Sequence, residues 1–116
     1  MLVVDDDPAF LALAARLIQG LGVEQITTAP DAATAITQAD AWRPEAALVD
    51  VGLPDREGID LAHELAARPW SPRVVLTSTD RDAGSAIEAR EGRSAIPFLP
   101  KEELANGTLR KLLLEG

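Results

Sequence analysis

Five short stretches of strand composition alternate with five segments of helical periodicity, and this alternation constrains the chain more than any other feature. The strand-like stretches are residues 2–4, 24–29, 46–50, 73–78 and 95–99. The central one, Ala46-Ala47-Leu48-Val49 ending on Asp50, is a continuous apolar run followed by turn chemistry with Pro54 and Gly58 as punctuation. A short run of that kind reads as a strand buried on both faces, as in parallel sheets. Strands that alternate with helices build a parallel sheet covered on both sides, joined by right-handed crossovers. With five strands, the doubly wound order 2-1-3-4-5 is the expected α/β architecture. It places the fifth strand at an edge, as Pro97 requires, because proline offers no ladder N–H.

Between the strands, Asp7 and Pro8 predict a helix start, with the carboxylate as cap and proline in the first turn. Phe10, Leu11, Leu13, Ala14, Leu17, Ile18 and Leu21 repeat at helical spacing until Gly20 and Gly22 end the pattern. Asp31 caps a second helix with Ala32, Ala35, Ile36 and Ala39 on its apolar face. A third follows Gly58, with Ile59, Ala62, Leu65 and Ala66 aligned, and stops before Pro69. A weaker helical segment covers residues 82–91, interrupted early by Gly84. The last helix is expected from Asn106, after a turn at residues 101–104, through Leu109, Leu112 and Leu113.

A chain of 116 residues makes one domain, 1–116. It has no cysteine, which excludes a disulfide scaffold and thiolate metal sites and fits a reducing compartment. No apolar run approaches the roughly 18 residues that span a bilayer. The N-terminus lacks the basic segment of a signal peptide, so a cytoplasmic address and no membrane partner are expected. The net charge of −8 argues against direct nucleic-acid binding by this chain, since such proteins carry a basic patch or stripe.

In a doubly wound sheet all strand carboxyl ends meet at one rim, where ligands bind. The first strand brings Asp5 and Asp6 there, the third Asp50, the fourth Thr77 and Ser78, the fifth Lys101. Asp50 alone could serve as acid, metal ligand or nucleophile. Neighbouring strands lie about 4.8 Å apart, so these carboxylates fall within reach of one cation, which their mutual repulsion favours. The all-oxygen donor set suits Mg²⁺ or Mn²⁺ rather than zinc. A carboxylate nucleophile, a divalent metal, a lysine and a hydroxyl together describe phosphoryl transfer to aspartate.

The motifs LVVDDDP at 2–8, DVGLPDREG at 50–58, VVLTS at 74–78 and FLPK at 98–101 resemble those of the receiver domain of two-component response regulators, in order and in spacing. The resemblance covers essentially the whole chain and implies a flavodoxin-like fold. It implies that Asp50 accepts a phosphoryl group from a sensor histidine kinase or phosphotransfer protein. Asp5, Asp6, Asp50 and the backbone carbonyl of Gly52 would hold Mg²⁺ (or Mn²⁺), with Asp5 acting partly through water. Thr77 and Lys101 would bind the phosphoryl oxygens, with backbone contacts from Gly52 and Ser78. Phe98 would follow Thr77 as the switch aromatic, reshaping the surface of helix 4, strand 5 and helix 5. The implied recipients are a downstream protein or an output domain, with a weak dimer through the same surface. The chain would be no enzyme beyond catalysing its own aspartyl phosphorylation and dephosphorylation. One departure from the pattern is that Glu102, not proline, follows Lys101, while Pro100 precedes it.

A pseudo-receiver that binds partners without phosphorylation is the alternative; its signature, loss of an acid, the acceptor or the lysine, is not seen here. A haloacid-dehalogenase-type hydrolase would need an acid two residues past the nucleophile, where Gly52 stands. Small residues at Gly52 and Thr79 predict hydrolysis neither strongly assisted nor strongly blocked. His63 reads as a solvent-facing helix residue, Trp42 and Trp70 as packing, and Asp55 and Glu57 as turn and cap residues.

Overall fold

The computed structural model describes residues 1–92, 96–105 and 107–112. In chain order these form β1 (Leu2–Val4), α1 (Pro8–Gly20), β2 (Thr27–Ala29), α2 (Ala32–Trp42), β3 (Ala46–Asp50), α3 (Gly58–Ala66), β4 (Arg73–Ser78), α4 (Ala83–Glu91), β5 (Phe98–Pro100), a 3₁₀ turn (Lys101–Glu103) and α5 (Thr108–Arg110). The sheet is parallel throughout, in the order β2-β1-β3-β4-β5. Fold class and strand order are those expected from the alternation.

Side chains alternate across a strand, and the two faces of the sheet carry two separate cores. Leu2, Val4, Ala47, Val49, Val74 and Leu76 pack against Ala32, Ala35 and Ala39 of α2, Leu61, Ala62 and Leu65 of α3, and Ile87 of α4. Val3, Ala46, Leu48, Val75 and Leu99 pack against Phe10, Ala14 and Ile18 of α1 and Leu109 of α5. β3 is buried over its whole length, as its unbroken apolar run demands.

The helix starts follow their caps. Asp7 accepts a hydrogen bond from the Ala9 N–H at 3.0 Å, and Asp31 from the Thr34 N–H at 2.8 Å. Asp55 does more than turn its own loop. Its two carboxylate oxygens accept from the Ala32 and Ala33 N–H groups, each at 3.0 Å, so the loop after β3 caps the start of α2. Those bonds hold its carboxyl below the ordinary range.

Three boundaries differ from expectation. The second strand is confined to Thr27–Ala29, because its one neighbour, β1, offers three residues to pair with; Glu24 and Gln25 are exposed before it. The fifth strand is shifted to Phe98–Pro100, pairing with Leu76–Ser78 of β4. Pro97 precedes it and contributes its carbonyl, which accepts from the Leu76 N–H at 2.8 Å. The described last helix starts at Thr108, after Gly107 at φ +91°; the expected start at Asn106, the expected end at Leu113 and Ala95 lie outside the described residues.

Trp42 and His63 also differ, whereas Trp70 packs as expected. Trp42 is 69% exposed and packs little. Trp70 does pack: its Nε1 donates to the Pro44 carbonyl at 2.9 Å, and the Arg43 guanidinium lies 5.6 Å from its ring centroid. His63 is half-buried and paired with Glu91 at 2.7 Å, because α4 lies close enough to bring that carboxylate over α3.

Gly58 closes the loop over the end of β3. Its N–H donates to the Val51 carbonyl at 3.0 Å, and a Cβ there would overlap the Asp50 carbonyl oxygen and lie 2.7 Å from Val51 Cα. These neighbours are backbone and cannot rotate away. Gly58→Ala is therefore expected to cost about 3 kcal/mol, the upper range for overpacking, measured as a lowered midpoint in denaturant unfolding. Gly20→Ala, with open space around it, serves as the control.

Candidate functional site

The site grows directly out of one face of the sheet. Asp5, Asp50, Thr77 and Lys101 each stand two residues beyond Val3, Leu48, Val75 and Leu99, all members of the core beneath α1 and α5. The two-residue period of a strand thus carries an apolar row from each of four strands into a polar group at the rim. β3 and β4 set the register: Asp50 is level with Thr77.

Asp5 is fully buried. Its Oδ1 accepts from the Asp7 N–H at 2.9 Å, and its Oδ2 lies 2.6 Å from the Lys101 ammonium. Asp50 is 7% exposed, with Oδ1 3.7 Å from the same ammonium. Asp6 is exposed at the mouth. One carboxylate oxygen from each of Asp5, Asp6 and Asp50 lies within 4.8 Å of the others. That spacing and all-oxygen donor set fit a hard divalent cation.

Burial, then the negative charge of Asp5, push the Asp50 carboxyl above the ordinary range; Lys101 pulls the other way, Asp6 adds to the rise, and the Gly52 N–H opposes it. Gly52 stands beside Asp50: a Cβ there would meet its Oδ2 at 3.7 Å. Thr77 is fully buried and its Oγ1 has no hydrogen-bond partner among the described residues. A buried hydroxyl left so costs free energy, and Thr77 stands level with Asp50 at the rim. Ser78 is buried too, its hydroxyl accepting from the Asp80 N–H at 3.0 Å.

Phe98 is half-buried and leaves the cluster for the other face, toward α4. A Cβ at Gly84 would sit 2.6 Å from its ring, so the glycine in α4 is what admits the phenyl group. The sequence reading missed Phe10 at this site, having placed it only in the apolar repeat of α1. Its ring centroid lies 4.2 Å from the Lys101 ammonium. The available signal was its place in the first turn of the helix that directly follows Asp5, Asp6 and Asp7. Nor did the sequence show that Lys101 rests nearer Asp5 than Asp50.

The chain matches the response regulator receiver domain over residues 1–113. It is 30% identical, over 125 aligned residues, to the transcriptional regulatory protein PdtaR of Mycobacterium tuberculosis. That alignment covers 100% of this chain and 61% of PdtaR, so the chain spans about three fifths of this relative's length. Among solved structures, the chemotaxis protein CheY4 of Vibrio cholerae superposes with a TM-score of 0.79 at 22% identity, covering 97% of this chain and 96% of that one. The response regulator TrrA of Thermotoga maritima, solved in complex with Mg²⁺-BeF, gives 0.79 at 23% identity over 97% and 96% of the two chains. At those identities the two structures speak for the fold. The chain belongs to the response regulator receiver domains of two-component systems.

The raised carboxyl of Asp50 has a consequence for stability. A carboxyl whose folded pKa lies above its unfolded value, about 3.9, favours the fold at low pH and loses that contribution as pH rises through the folded value. In divalent-free buffer at pH 7, Asp50→Asn is therefore expected to raise the melting temperature above that of the wild type. The difference should shrink as pH falls toward 4, which thermal scans across pH will read.

Proposed function

We propose that this receiver is a phosphorylation-driven switch with Asp50 as acceptor. The observation that carries the reading is one buried carboxylate, Asp50, set among two further acids within 4.8 Å and a lysine at 3.7 Å. Asp5, Asp6, Asp50 and the Gly52 carbonyl would hold Mg²⁺ or Mn²⁺. Bound there, the cation would neutralise the crowded carboxylates and the charge that develops on the transferred group. An Asp50 carboxylate oxygen attacks phosphorus; the new O–P bond forms as the P–N bond to the donor imidazole of a sensor histidine kinase or phosphotransfer protein breaks. The departing imidazole keeps the bonding pair and takes up a proton.

The transferred group brings charge and three acceptor oxygens into the rim. Thr77 Oγ1 gains the partner it lacks, Lys101 gains a second anion opposite Asp5, and backbone N–H groups of Gly52 and Ser78 supply further donors. Movement of Thr77 frees room for Phe98, and with it α4, so that the surface of α4, β5 and α5 changes. A downstream protein, an output domain or a second copy of the chain in a weak dimer would read that surface. The chain acts in the cytoplasm, catalyses nothing beyond its own phosphorylation and dephosphorylation, and does not itself contact nucleic acid; its net charge of −8 supports the last point.

Incubation with acetyl phosphate and Mg²⁺ should add one phosphoryl group by intact mass, and Asp50→Ala should abolish it. The adduct should persist for seconds or longer, since neither Gly52 nor Thr79 offers a group that activates water. Mg²⁺ alone should raise the melting temperature, with about 2.7 kcal/mol of stabilisation at a hundredfold excess over its dissociation constant. Asp6→Asn should blunt that response. A Mg²⁺-independent melting temperature together with no phosphorylated mass would favour the pseudo-receiver reading.

A further inference from the structure

The Lys101 ammonium has three seats around it. Asp5 Oδ2 lies at 2.6 Å, Asp50 Oδ1 at 3.7 Å and the centroid of the Phe10 ring at 4.2 Å. The lysine side chain is only 15% exposed and Phe10 only 7%, so little water competes for the charge. An ammonium over an aromatic face is held by the ring's quadrupole, most strongly where both are desolvated. Lysine is a flexible four-carbon stem carrying a point charge; a carboxylate attracts it from any direction, whereas a ring face holds it on one side. Phe10 comes from the first turn of α1, packed with Ala14 and Ile18 in the core, so its position is set by the helix rather than by the loops of the rim.

We propose that Phe10 is a positioning residue for Lys101: its ring face and Asp5 together form the resting seat from which the ammonium moves to the group on Asp50. This inference rests on the reading of Asp50 as phosphoacceptor. The ring attracts the cation without neutralising it and offers no hydrogen bond that must be broken. It therefore keeps the ammonium beside the acceptor while leaving its charge available. An alkyl side chain of similar size would fill the same volume and leave the lysine held by the two carboxylates alone.

The test is NMR of the full chain with lysine side chains labelled, recorded beside intact-mass measurements on the same samples. In the resting protein the Lys101 Cε protons should resonate upfield of those of Lys111, the chain's other lysine, shifted by the ring current of Phe10. Phe10→Leu should abolish that shift, and Phe10→Tyr, which keeps the π face, should restore it. Adding Mg²⁺ with beryllofluoride, a stand-in for the phosphoryl group, should move the wild-type signal downfield as the ammonium leaves the ring. Phosphorylation by acetyl phosphate should slow roughly tenfold in Phe10→Leu, the change for about 1.4 kcal/mol of barrier, and recover in Phe10→Tyr. An unshifted Lys101 signal in the wild type, or a signal unchanged by Phe10→Leu, overturns the proposal. So does a normal phosphorylation rate in Phe10→Leu. A ring-shifted signal with no phosphorylated mass in any sample overturns instead the role of Asp50 as acceptor and leaves the seat standing.

Discussion

Everything at the rim depends on one buried ion pair, Asp5 with Lys101 at 2.6 Å. Three carboxylates gathered within 4.8 Å repel one another, and Asp5 and Asp50 are buried where water screens little. Lys101 is the cation that makes that crowding tolerable in the folded chain. Breaking a buried pair by removing one partner strands the other charge, typically at about 3–5 kcal/mol. The pairing also decides geometry, since it ties the residue just after β5 to the residue just after β1, across β3 and β4. An edge strand of three residues would otherwise be anchored through one neighbour alone.

The sheet explains why those groups arrive together. Val3, Leu48, Val75 and Leu99 share one face, and a step of two residues from each reaches Asp5, Asp50, Thr77 and Lys101. The same period that separates the two cores selects which residues meet at the rim, so fold and site share one origin. The loop from Asp50 to Gly58 is then held at three points: Val51 N–H to the Thr77 carbonyl at 3.0 Å, Gly58 N–H to the Val51 carbonyl at 3.0 Å, and Asp55 to the start of α2. Asp50 thus sits on a strand end whose onward chain is tied down on both sides.

This shared origin is also why so much could be read from residue order. Continuous apolar runs ending in acid announced β1 and β3, and their burial on both faces left one sheet architecture. The edges were harder to read. β2 has a single partner of three residues, so its length is decided by β1 rather than by the strand-like composition of residues 24–29. Likewise, β5 takes its register from β4, which moves it past Pro97. At the site, the acids and the lysine were legible because each closes a strand. Phe10 was not: an aromatic on the apolar face of a helix looks the same whether it fills a core or lies beneath a charge. The reach of Asp55 to α2, and of Glu91 to His63, depends on how helices dock across the sheet, which periodicity along one element does not encode.

The helices are not held equally, and the inequality bears on what can move. α1 buries Phe10, Ala14 and Ile18, and α3 buries Leu61, Ala62 and Leu65, whereas α4 buries Ile87 alone. The rest of its attachment is polar or peripheral: Glu91 to His63 at 2.7 Å, Arg90 to Glu57 at 4.0 Å, and Arg81, just before the helix, to Glu102 at 2.7 Å. Exposed pairs of this kind contribute little each, and an element with few buried apolar contacts belongs to the low-stability end of a fold. Gly84 sharpens the point. By admitting the Phe98 ring where a Cβ would stand at 2.6 Å, it couples the position of α4 to one side chain of β5, a strand that ends beside Lys101. α4 is thus the helix with the least to hold it, while α1, α3 and the central strands are anchored by their buried rows.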